Sequence, residues 1–223
     1  MFESTKKPAE TFSAIDMLFG DLPLSYWARI NSNEEPWTLF KEVDKSLQQN
    51  KKEEAIATLN KIINTSGLES RQYLQAYFFL NQLRQTKEGD LKIFGVVVEV
   101  SLPQGCDTLA VYADHSARYY NYSGSSIAWE HGDNSLDELF DELISQGNII
   151  ASQIGPWESP RRAAPPQGMA RINFLTSHGL HFGEANQQAL FNDPLAGKIM
   201  HGMIEVMQAL INKTSNGEAK AAV

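Results

Sequence analysis

The sequence predicts an α+β fold: a helical N-terminal part, then an antiparallel sheet that carries two further helices. Three observations lead there. From Pro36 onward apolar residues recur every three or four positions, the helical period. From Leu91 the period falls to two, β-branched residues dominate and turn signals follow in quick succession. After Ser135 helical and strand patterns alternate, giving helix, two strands, helix.

Residues 1–35 form an apolar extension. Ile15, Met17, Leu18, Phe19, Leu22, Leu24, Tyr26 and Trp27 lie within it. Burying each such side chain stabilises by about 1.5–3 kcal/mol, so this segment is expected to pack on the body of the protein or on a second copy. Residues 36–88 form a helical subdomain. Trp37, Phe40, Val43 and Leu47 make one apolar stripe; Ala55, Ile56, Leu59, Ile62 and Ile63 make the next, closed by Gly67. A third helix carries Leu74, Tyr77, Phe78 and Leu83. The first two, joined by "NKKEE", resemble one helical hairpin of the tetratricopeptide type, with "EEAIATLNKII" as its second half.

Residues 89–212 form the sheet domain, the period changing at "KEGD". In "LKIFGVVVEVSL" alternation puts Phe94, Val96, Val98 and Val100 on one face and Ile93 and Val97 on the other. A strand apolar on both faces is expected to be central and covered on each side. "PQGCD", "DHS" and "SG" are turns, so "TLAVYA", "ARYYNY" and "SSIAWE" complete a four-strand meander. A helix follows with Leu136, Leu139, Phe140, Leu143 and Ile144 inward, capped by Asn134 or Ser135, and Gly147 is a candidate bend. The proline-rich stretch 155–168 is a connector. "MARINFLT" and "GLHFGEA" are strands, and Asp193-Pro194 opens a last helix whose Met200, Met203 and Met207 are expected to pack on the sheet. Residues 213–223 read as a disordered tail. This order of elements is broadly similar to that of small sensor and scaffold domains of the roadblock and profilin-like kind, a likeness of order alone, which implies little about function.

A net charge of −8 without a basic cluster argues against nucleic acid or an anionic membrane as partner. The early apolar residues are interrupted by Asp16, Asp21 and Pro23, unlike a secretory signal, and no apolar run spans a membrane. On those two grounds the expected compartment is the cytoplasm; the lone Cys106, in the "PQGCD" turn, cannot form an intramolecular disulfide.

Catalytic and metal motifs are not met: there is no HExxH, paired CxxC, GxxxxGK[ST] or GxSxG. His178 and His181, with Glu184, sit on a turn and a strand and need not converge, His115 lies in the "DHS" turn, and His201 reads as a packed helix residue. Asp137 with Asp141 and Glu138 with Glu142 read as a solvated acidic face. The sequence therefore points to no catalytic residue, no metal and no cofactor.

The candidate binding surface is Arg118, Tyr120 and Tyr122, which share one strand face, Tyr119 and Asn121 taking the other. Tyrosine and arginine are enriched at binding hot spots. The function expected from the sequence is a non-enzymatic cytoplasmic interaction or regulatory module, self-associating or binding a protein partner. The alternative is an enzyme or small-molecule sensor with a pocket between sheet and helices, using His115, Arg118, His178 and His181.

Overall fold

The computed structural model describes residues 12–84, 89–215, 217 and 220–222. Residues 1–11 of the expected 1–35 extension, and residues 85–88 at the subdomain boundary, lie outside the described residues.

The helical part comprises α1 (Leu24–Trp27), α2 (Trp37–Gln48), α3 (Lys52–Ile63) and α4 (Ser70–Arg84). The α2 and α3 stripes read from the sequence face one another through buried Phe40, Val43, Ala55, Leu59 and Ile62, but α4 meets them with Ala76, Phe79 and Leu80. Of the residues expected to do so on α4, Phe78 and Leu83 are only half-buried, and Leu74 and Tyr77 face the sheet. Trp27, from the extension, stacks on Trp37 with ring centres 5.2 Å apart and closes this small core.

The sheet domain contains β1 (Ile93–Leu102), β2 (Gly105–Tyr112), β3 (Ser116–Tyr120), β4 (Ser126–Glu130), α5 (Asp137–Ala151), β5 (Met169–Thr176), β6 (Gly179–Asn186), α6 (Gln187–Asn192), α7 (Ala196–Ser215) and β7 (Lys220–Ala222). Every pairing is antiparallel, in the order β6-β5-β1-β2-β3-β4-β7. The α+β reading holds: the meander is β1 to β4, and after α5 the chain returns to the free edge of β1.

Four details differ from the sequence reading. A bulge between Ile93 and Gly95 reverses the expected sides at the start of β1. Phe94 packs against Tyr73 and Tyr77, whereas Ile93 joins Val96 on the opposite face. Asp133 accepts from Ser135 N at 2.8 Å and caps a short 3-10 turn that leads into α5, in place of the expected Asn134 or Ser135 cap. The short helix α6 was not foreseen. Within 213–223, read as structureless, α7 runs to Ser215 and β7 pairs with β4.

Helices α5 and α7 cover one face of the sheet. Phe140, Leu143, Ile199, Met200, Met203 and Val206 pack on Val96, Val98, Val111, Trp129, Ile172 and Phe174. Gly147 does not break α5. A Cβ there would come within 2.7 Å of Ile93 Cδ1 and 2.8 Å of Val96 Cγ2, so the glycine lets helix and strand approach.

The N-terminal part docks on the other face through Leu18, Phe19 and Leu74, which meet Val97, Ala110, Tyr112 and Leu175. The Tyr112 hydroxyl donates to Leu18 O at 2.8 Å. Gln75, fully buried, donates to Leu22 O at 2.8 Å and accepts from Leu22 N at 3.2 Å, satisfying an otherwise orphaned stretch of backbone. Asp114 in the β2–β3 turn accepts from Ser70 N at 2.6 Å, so a sheet turn caps α4.

Arg161 ties the 155–168 connector to this segment. It donates to Asp16 at 2.7 Å and Asp21 at 3.0 Å, and its guanidinium lies 4.1 Å from the Phe19 ring centre. Partial burial opposes ionisation of Asp16, but hydrogen bonds from Arg161 and Ser13 outweigh it and hold the carboxyl below its ordinary value. A depressed carboxyl stabilises the fold above its unfolded pKa of about 3.9 and loses that contribution as pH falls through the folded value. Acidification below about pH 4 is therefore expected to loosen the Ser13–Asp21 segment, read by hydrogen exchange, and Arg161→Ala should lessen this part of the pH dependence, the Ser13 hydrogen bonds remaining. Among the described residues, no helix is long and apolar enough to cross a membrane.

Candidate functional site

The three residues singled out for binding do not form one open surface. Arg118 is 6% exposed. It donates to Ala117 O at 2.8 Å and Trp129 O at 3.1 Å, and pairs with Glu130. Tyr120 is half-buried beside the cluster that docks the N-terminal part. Tyr122, past the end of β3, is exposed and its backbone N–H donates to Asp107 at 2.8 Å. On the opposite face the Tyr119 hydroxyl donates to Asp107 at 2.9 Å; burial first, and that hydrogen bond second, push its pKa up to about 12. The tyrosines are thus used largely within the chain.

His115, Arg118, His178 and His181 have separate neighbours. His178 bonds Gly89 O at 3.1 Å and His181 bonds Ile154 O at 2.9 Å, while Arg118 lies on the other face of the sheet from His181. A cleft of about 870 Å³ opens between α4, the Phe19–Asp21 segment and the 157–161 stretch, and of the four it takes in only His178. Cys106 is half-buried, and burial together with nearby Glu99 pushes its thiol up, away from a reactive thiolate.

What the sequence reading missed is a convergence at the α5 end of the sheet. β3 and β4 pair with Ser116 opposite Glu130, so His115 and His131 face each other one residue beyond the ladder, ring centres 5.0 Å apart. Both adopt a left-handed backbone, φ 59° and 52°. The first residue of α5, Asp137, meets them: its Oδ1 is 3.0 Å from His131 Nε2 and 3.7 Å from His115 Nδ1. His115 Nε2 lies 2.9 Å from Asp141 Oδ1, one helical turn on. One ligand atom from each of His115, His131 and Asp137 lies within 4.8 Å of the other two.

Sequence and structure comparisons add no relative. No protein-family model, curated protein or solved structure matches the chain. The remaining feature of note is apolar. On the outer side of α7, Ile204 and Ile211 are 37% and 43% exposed, one heptad apart, with half-buried Met207 between them. Beside them a groove of about 930 Å³ runs between α5 and α7, edged by Glu138, Asp141, Glu142 and Glu205, with Lys198 and His201.

Proposed function

We propose that this protein is a non-enzymatic cytoplasmic interaction module that self-associates through the outer face of α7, in a regulatory or scaffolding role. The observation that carries the reading is the Ile204–Met207–Ile211 stripe on a helix whose inner face is already spent on the sheet. Isolated surface isoleucines need no explanation, but two at heptad spacing on one helix form a seam. A second copy of the same helix, laid antiparallel about a two-fold axis beside Gln208, sets Ile204 of each chain against Ile211 of the other. Such an isologous contact is the commonest way a soluble chain pairs with itself. The cytoplasmic assignment is supported by the single free Cys106.

The strip is small. A 20-residue helix is about 30 Å long, and one face about 10 Å wide offers roughly 300 Å², below the roughly 800 Å² per partner of a standard interface. The pairing is accordingly reversible, with the rims of α5 adding contact. Light scattering of the full chain should show a monomer–dimer equilibrium. The double variant Ile204→Glu/Ile211→Glu, unchanged in circular dichroism, should be monomeric. A wild type that stays monomeric at every concentration, or a double variant that pairs as the wild type does, refutes the reading.

A further inference from the structure

We propose that His115, His131 and Asp137 bind a divalent first-row transition ion, with Zn²⁺ as the simplest probe. Two imidazoles and a carboxylate are a donor set suited to such ions. Ligands around a tetrahedral Zn²⁺ stand about 3.3 Å apart, given bond lengths of about 2.0–2.1 Å, and the 3.0 and 3.7 Å separations from Asp137 Oδ1 straddle that value.

Two observations go beyond mere clustering. Asp137 Oδ1 is buried at the atomic level and accepts no well-directed hydrogen bond, although two ring nitrogens approach it; His131 Nε2 bonds the other carboxylate oxygen, Oδ2, at 3.2 Å. The second concerns tautomers. A neutral His115 has one ring N–H for two carboxylates: in the tautomer that donates Nε2–H to Asp141, Nδ1 presents a bare lone pair toward the Asp137 oxygen. Two acceptors then face each other, an arrangement that a cation between them stabilises. Asp141 is placed as the outer carboxylate that fixes a ligating histidine's tautomer and ring orientation. Phe140, its ring centre 6.5 Å from that of His115, walls the inner side with apolar surface.

When the ion binds, His115 contributes Nδ1, His131 contributes Nε2 after yielding any proton there, and Asp137 contributes a carboxylate oxygen. Three protein ligands leave a fourth position, open to water or to an oxygen donor from another molecule. Bound there, the ion clasps the open end of the β3–β4 hairpin to the start of α5.

The test uses the full chain without a histidine tag, stripped with chelator and titrated with Zn²⁺ alone by calorimetry. One Zn²⁺ per chain is expected, at micromolar affinity or tighter, with a rise in melting temperature. His131→Gln and Asp137→Asn should each weaken binding at least about tenfold, and Asp141→Asn by about 10–100-fold through lost orientation. His178→Gln should bind as the wild type does. His131 sits on an exposed loop, so its variant reads the site even if Asp137→Asn folds poorly. Absence of saturable uptake by the wild type, or wild-type affinity in both His131→Gln and Asp137→Asn, overturns the proposal.

Discussion

Arg171→Met is expected to destabilise the fold by about 3–5 kcal/mol in urea denaturation, because it leaves buried Glu99 without its cation and Glu184 with only the more exposed Arg162, 3.4 Å away. Arg171 lies on β5 with its side chain 3% exposed, between Glu99 of β1 at 7% and Glu184 of β6 at 12%. Its Nε donates to Glu184 at 2.8 Å and its Nη1 to Glu99 at 3.2 Å, while Nη2 donates to Ala163 O at 2.9 Å. The pairing register dictates the grouping: Glu99 stands opposite Arg171, and Arg171 opposite Glu184, so the three share one face of adjacent strands. Asn173, two residues along on the same face, adds a donor to Glu99 at 2.9 Å. The cost lies in the orphaned charges. Adding Glu99→Gln and Glu184→Gln to Arg171→Met should therefore recover much of the loss, and failure to recover would place the effect in packing against Phe182 instead.

Phe140→Ala is the second large effect, about 3–5 kcal/mol in the same measurement. Phe140 is 0% exposed in the core between α5 and the sheet, and truncation opens a cavity that the strands behind it cannot collapse to fill. Phe140→Leu keeps most of the volume and should cost far less. The truncation also removes the wall behind His115, so any Zn²⁺ uptake should fall with it.

Much of the architecture was legible because alternation and helical spacing are local signals. The strands of the meander, the core face of α7 and the central position of β1 follow directly from them. What failed did so where one residue changes the count. The bulge at Phe94 moves it to the other side of β1, and no composition cue announces such an insertion. Alternation put Arg118, Tyr120 and Tyr122 on one strand face, yet β3 ends at Tyr120, Tyr122 falls in the turn beyond it, and Arg118 is covered, since which neighbours fold over a face depends on tertiary docking.

The histidine cluster was hidden for a related reason. His178 and His181 drew attention because they are close in sequence, whereas His115 and His131 meet only through pairing of β3 with β4. A signal was available: both lie eight residues from Ser123, the centre of the "NYSGSS" turn, and a hairpin closing there sets them opposite each other. The carboxylate then arrives with the first turn of α5, whose start the "HGDNS" breaker marks.

The central claim, pairing of two chains along α7, is tested most directly by cysteine cross-linking in a Cys106→Ser background. A disulfide forms only between Cα atoms closer than about 7 Å, which an antiparallel pair reaches near its two-fold axis. Gln208→Cys should give a disulfide-linked dimer on mild oxidation, and Lys198→Cys, ten residues away toward the end of the helix, should not. A Gln208→Cys chain that remains monomeric under the same oxidation, while folded, contradicts the account.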